Sequence, residues 1–283
     1  GIIMKFCKLL KYDLKNGILK KWYLYIGTIL VACIFIGDFY RRYLSSREYL
    51  EEKLTCANIL FYLFQGKEPF SPDWGSPFVF PIVWVLIFII ILFGTIDYPM
   101  KSLSGHGIQV ISRIGKRSYW WESKCIWITI STLLYFGIWY MTVIVYGRVV
   151  GMDISLNYSQ EINSELLEME LETLTHSQEI MLLIIMPVVT ALSLNFIQLC
   201  LSLFIDKVYS FMFVTFLLFA STYFKNPVAI GNFAMVKRSV YCIDEGMNVY
   251  RGLALNCIII ISCIIVGFLR IRKYDILKRD NAY

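Results

Sequence analysis

The chain has 283 residues, 58% of them hydrophobic and only 17% charged, with a mean hydropathy of +0.61. A soluble domain is roughly half apolar and about a quarter charged, so one is excluded; the excess lies in runs of the ~20 apolar residues that a bilayer-crossing helix needs. The net charge of +6 is small for this length and its basic residues flank apolar runs, which fits orientation in a bilayer and excludes a nucleic-acid partner.

The expected fold is an all-α membrane protein, a single transmembrane domain over 1–283 with six spans. Residues 5–18 read as an interfacial amphipathic helix, with Phe6, Leu10 and Leu14 on one face and Lys8, Lys11 and Lys15 on the other. Such a helix lies in the interface plane, its lysines toward anionic membrane lipids. Gly17 offers a break, and Lys20 and Lys21 anchor the entry to span one, 22–39. No small-residue cleavage site follows this run, so it is expected to be retained as a span.

Residues 41–77 form an extracellular segment whose first part, to Gly66, has Leu50, Leu54, Ala57 and Phe61 at helical spacing. Pro69, Pro72, Gly75, Pro77 and Pro81 then mark irregular chain leading into span two, 79–96. The stretch Ser102–Lys124 is polar and basic. Coiled as a short helix, Ile108 to Arg117 would place Ile108, Val110, Ile111 and Ile114 on one side and Arg113, Lys116 and Arg117 on the other. Trp120 and Trp121 follow where the chain re-enters the membrane, a place that suits amphipathic rings. This is read as a cytoplasmic foot that offers a face to a soluble partner; a solvated basic loop obeying the charge rule is the alternative.

Span three is 125–146. The extracellular segment 148–178 is acidic, with Glu161, Glu165, Glu168, Glu170 and Glu172 interleaved with apolar residues. That spacing suits an exposed helix with a solvated face. Span four, 180–205, contains Pro187, which should kink it. Asp206 and Lys207 alone separate it from span five, 208–224, so the two form a hairpin. Residues 225–251 are broken by Pro227, Gly231 and Gly246 and read as a re-entrant or extracellular piece. Span six is 253–269, and a basic tail closes the chain. Seventeen of the 27 basic residues lie at the two ends, in the foot and at Lys207, which places both termini in the cytoplasm.

Catalytic and metal chemistry is not written in the chain. Gly115-Lys116 is followed by Arg117 and not Ser or Thr, and Val110 stands where a phosphate loop needs its first glycine. His106 and His176 fall on opposite sides of the membrane, so no metal site combines them. The eight cysteines show no metal spacing; Cys56 and Cys242 both lie in outer segments, where a disulfide between them is open. The span centres lack the carboxylates of a proton- or sodium-coupled carrier. One polar stripe stands out: Asn195, Gln198 and Ser202 share a face of span four past Pro187, either to bond a neighbouring helix or to line a translocation path.

The whole arrangement resembles a permease subunit of the type-2 ABC transporter family. The matching parts are the basic amphipathic helix, six spans, the glycine-rich basic foot between spans two and three, the tight Asp206-Lys207 turn and the broken stretch before span six. The resemblance implies that the foot holds a coupling helix docking on a separate ATP-hydrolysing subunit. Carried onto this sequence, the contacts are Gly105, Gln109, Arg113, Lys116 and Arg117. It further implies that ATP and Mg are bound by that partner and no cofactor by this chain. A second copy or a paralogous permease would complete the path, in a bacterial plasma membrane, with an amphipathic or antimicrobial peptide as cargo. A lipid or polysaccharide exporter is the nearest alternative. A membrane-embedded enzyme would need more converging polar residues than the stripe supplies, and a sensor would need a soluble signalling domain that the short tail does not provide.

Overall fold

The computed structural model describes residues 2–71, 77–104 and 117–273. Among these the chain is helical and has no strand; Thr55 with Asp153 and Ser239 with Met247 form isolated bridges. Five helical stretches are long and apolar enough to cross a membrane: Met4–Ser46, Ile82–Leu103, Arg117–Val150, His176–Leu201 and Val249–Arg272. The molecule is thus built as a multi-pass membrane protein. The expected span five, Lys207–Tyr223, is apolar but has 17 residues, about 25 Å at 1.5 Å per residue against a hydrocarbon core of ~30 Å.

Helix α1 (Ile2–Gly17) passes through a 3-10 turn, Leu19–Lys21, into α2 (Trp22–Ser46), which continues well beyond 39. The interfacial helix is tilted differently from its sequence reading. Leu9, Asp13 and Gly17 are its buried positions, while Phe6, Leu10 and Leu14 flank them, half-buried. The reason is α6 (Arg117–Val150), which packs along α1. A side chain at Gly17 would run into the Trp127 indole, so only glycine lets the two helices approach there.

The outer helix expected within 41–66 is α3 (Cys56–Phe64), and all nine of its residues are buried. Apart from Asn58 its faces are apolar, and a helix of that kind is stable only when buried. Thr55 and Asn58 close a capping box at its start. Asn58 also donates to Ser159 O and Asn163 Oδ1, each at 2.9 Å, which pins α3 to α7 (Gln160–Leu167). The acidic helix is therefore shorter than its spacing predicts: it stops at Glu168, a left-handed residue, and the chain beyond runs irregularly to Thr175. Its apolar residues Ile162, Leu167, Met169, Leu171 and Leu174 are buried, and Glu161 accepts from the backbone N–H groups of Glu51 and Glu52.

Helices α4 (Ile82–Thr95) and α5 (Tyr98–Ser104) are joined by a bend at 96–97. Helix α8 (His176–Leu201) is the hub, packed against α4, α6, α9 (Lys207–Tyr223) and α10 (Val249–Arg272). Pro187 has no N–H to give to the carbonyl of Leu183 one turn back. The helix widens to a π-turn over Met181–Ile185, and the Tyr140 hydroxyl of α6 donates to Leu183 O at 3.0 Å. The expected disturbance at Pro187 thus takes the form of a π-turn with a hydroxyl supplied from outside.

Residues 225–248 hold two short 3-10 turns, Ile230–Ala234 and Val236–Arg238, and 229–239 are buried throughout. Arg238 fixes them. Its guanidinium donates to Lys67 O at 2.8 Å, Thr222 O at 2.6 Å and Phe224 O at 3.2 Å, and also to Ser221 O and Asn232 Oδ1. These are mostly carbonyls at the carboxyl end of α9, where the helix dipole favours a cation. Burial pushes the guanidinium down to about 10 from its ordinary value near 12.5. All eight cysteines are free, Cys56 and Cys242 included: Cys56 lies against α6 at Val143 and Gly147.

The buried apolar residues form two cores. The larger fills the middle of the bundle and the end that holds α3 and Arg238. The smaller lies at the opposite end, the foot, and contains Ile18, Tyr98, Trp120, Trp121, Trp127, Phe196 and Ile271 among others.

Candidate functional site

The foot is where the sequence places its partner-binding stretch. Gly105, Gln109, Arg113 and Lys116 lie outside the described residues, and Arg117 is the exposed first residue of α6. What the structure does describe is how the two flanks of that stretch are held.

Tyr98, in α5 on one flank, donates its hydroxyl to Asp13 Oδ1 at 2.8 Å. On the other flank, Ser123 Oγ donates to Asp13 Oδ2 and Lys124 Nζ to Asp13 Oδ1, both at 2.5 Å. Asp13 and Lys124 are fully buried. Lys124 also sits 4.9 Å from the Tyr98 ring centre and 5.3 Å from that of Trp120, so its ammonium is met by aromatic faces as well as by a carboxylate. Trp120 and Trp121 are 1% exposed. They are core residues of the foot and not membrane-interface rings, because α1 and α10 cover them; the Trp121 indole N–H donates to Ile264 O.

A second carboxylate stands next in the chain. Asp97 pairs with Lys207 of the α8–α9 turn at 2.5 Å and with Lys101 at 3.6 Å. Lys21, just after α1, donates to Gly94 O at 2.6 Å near the end of α4, where the dipole again favours a cation. Adjacent residues 97 and 98 therefore reach two ways: toward the α8–α9 turn and toward α1 and α6. Asp206 caps α9 by accepting from Val208 N–H at 2.8 Å.

The polar stripe joins the same region. Asn195 accepts from Thr95 at 2.8 Å and donates to Thr132 at 2.9 Å; Gln198 donates to Leu92 O at 2.9 Å. Ser202 turns back to Leu199 O at 2.6 Å. All three are buried, and Asn195 and Gln198 bond α8 to α4 and α6. Gln198 Oε1 has no hydrogen-bond partner among the described residues, and Gln198 lines a small cavity with Thr95, Pro99, Ser202 and Lys207. The stripe thus reaches the Lys207–Asp97 pair.

No family model matches the chain, and no curated protein matches it either. Among the described residues no three His, Cys, Asp or Glu side chains come together as a metal site; His176 pairs only with Glu179, at 3.5 Å. Sequence reasoning missed Asp13. Its signal was present: a lone acid in a helix of lysines, three residues after Leu10 and next to Leu14, sits on the face meant for burial, and a buried carboxylate calls for a cation.

Proposed function

We propose that this chain is the membrane-spanning permease subunit of a type-2 ABC exporter. In this reading it crosses a bacterial plasma membrane six times, the short Lys207–Tyr223 helix included, with both termini in the cytoplasm. Gly105–Arg117 docks on a separate ATPase that binds ATP and Mg. A second copy or a paralogue completes the path, and an amphipathic or antimicrobial peptide is the cargo.

The observation that carries this reading is the buried Asp13 cluster. Asp13 grips both flanks of the basic stretch, through Tyr98 and Ser123–Lys124, while Asp97 links one flank to α8 and α9 through Lys207. A push on the stretch would move α1, α6 and the α8–α9 hairpin together and would not dissipate in a loose loop. To shift such a bundle from 1:99 to 99:1, ATP binding must favour one state by about 5.5 kcal/mol. A ligand that contacts both states equally would shift nothing.

Co-expression with ATP-binding-cassette ATPases from the same genome supplies the test. The wild type should bring one down and stimulate its hydrolysis; the Arg113→Ala, Lys116→Ala, Arg117→Ala triple variant should insert normally and lose the stimulation. Normal coupling in the triple variant would overturn the role of the foot, and nucleotide hydrolysis by the purified chain alone would overturn the permease reading.

A further inference from the structure

At the end opposite the foot, an open cleft of about 550 Å³ lies between α2, the end of α3 and the start of α4. Its walls are apolar: Ile34, Phe35, Phe80, Ile82 and Val83. Its lining also carries three cations, Arg42, Lys67 and Lys237, against Asp38. Arg42 is held by Asp38 at 2.7 Å and lies over the Tyr62 ring.

Lys237 is the unusual member. Its side chain is 9% exposed and pairs with Glu68 Oε1 at 3.7 Å, longer than a hydrogen bond. Its backbone is fixed, since its N–H donates to Gln65 O at 3.0 Å. The following Gly66 has φ +65° and lies against Met235, where any side chain would collide. The cleft thus holds a largely buried ammonium whose carboxylate partner is itself 41% exposed, and cationic side chains outnumber anionic ones along its lining. Burial lowers its proton affinity, opposed by Glu68.

The apolar wall does not stop at the cleft. Trp22, Ile26, Leu30 and Ile34 are exposed along α2 at intervals of four, and the same ridge continues into Asp38 and Arg42. A track of exposed apolar side chains that ends at a cationic pocket has the layout of an acyl chain and its anionic headgroup.

We infer that this cleft is a binding site for one anionic phospholipid, its phosphate on Lys237 with Arg42 and Lys67 at the rim, and its chains along the Trp22–Ile34 ridge. This site is independent of the transporter reading. The test uses the full chain in neutral detergent, titrated with phosphatidylglycerol or phosphatidylcholine, with retained lipid counted by native mass spectrometry. Phosphatidylglycerol should be retained at least tenfold more tightly, and glycerol 1-phosphate without chains should not displace it. Lys237→Met should erase the preference and Lys237→Arg keep it. If Lys237→Met does not fold, the rim variant Arg42→Gln with Lys67→Gln should still weaken retention severalfold. Equal retention of the two lipids, displacement by glycerol 1-phosphate, an unchanged preference in a folded Lys237→Met or in the rim variant, or a second copy of the chain covering the cleft in place of lipid would each overturn the site.

Discussion

The two ends of the bundle each bury a cation, and they satisfy it in different ways. At the foot, Lys124 is met by Asp13, a charge delivered by another helix. At the far end, Arg238 is met by carbonyl oxygens and one amide, with no carboxylate among its acceptors in the described residues. A charge pair joins two elements and is silent about the rest; it holds α1 to α6 and can be exchanged for apolar contact if both partners go. A guanidinium fork gathers many backbone ends at once and is irreplaceable by a residue of another shape. The foot is therefore made as a joint, and the far end as a knot.

The largest effect should come from cutting the knot. Arg238→Met leaves the carbonyls of Ser221, Thr222 and Lys67 without their donor; at roughly 1.5–3 kcal/mol per charge-assisted bond, the loss should exceed ~4 kcal/mol even with water entering. Arg238→Lys should recover little of it, because one ammonium cannot span the fork. Thermal unfolding in detergent decides; near-wild-type stability of the methionine variant would remove the distinction between the ends.

Next comes the joint. Asp13→Asn strands Lys124 in the core and should cost about 3–5 kcal/mol. Asp13→Leu combined with Lys124→Met should regain most of that, which Arg238 could not do with any single partner. A double variant as unstable as the single one would show that Asp13 acts mainly through Tyr98 and Ser123.

The smallest effect is a matter of pH. Lys237 has a lowered proton affinity from burial, with Glu68, Lys67, Glu168 and Cys242 as the charges that bear on it, and Asp38 and Arg42 in the same cleft. The folded state thus holds its proton less well than the unfolded one, whose value is near 10.5. Between the two values the unfolded chain binds more protons, so stability rises as pH climbs through that window. The burial cost is fully present at neutral pH. Arg238, lowered to about 10, adds a rise of the same sign above that pH. Equilibrium unfolding in urea across pH 7–10.5 should show a rise in the wild type that is flatter in Lys237→Met; parallel curves would refute the assignment.

Much of the fold could be read from the chain because it depends on local periodicity. The apolar runs became helices near their expected places, Pro187 disturbed its helix, and Gly17 ended α1. The readings that failed involve faces. Trp120 and Trp121 were read as interface rings and are buried in the protein; residues 41–66 were read as one helical segment and hold the end of α2 and then α3, which is buried on all sides; the acidic helix stops at Leu167. In each case the neighbour that covers the residue comes from far along the chain, and hydropathy carries no record of it. The candidate site shows the same division. The basic residues of the foot were visible, but Asp13 and Lys124 are 111 positions apart and nothing local announces their meeting.

What the sequence alone determined was a helical, membrane-crossing chain with its charges gathered at helix ends, because a bilayer accepts only long apolar segments whose backbone bonds are internal. Tertiary structure decided which buried charge meets which partner, that the Asn195 stripe joins α8 to α4 and α6, and that Lys237 waits in a cleft. Those outcomes depend on which helices become neighbours, and that is a property of the packed bundle and not of any window along the chain.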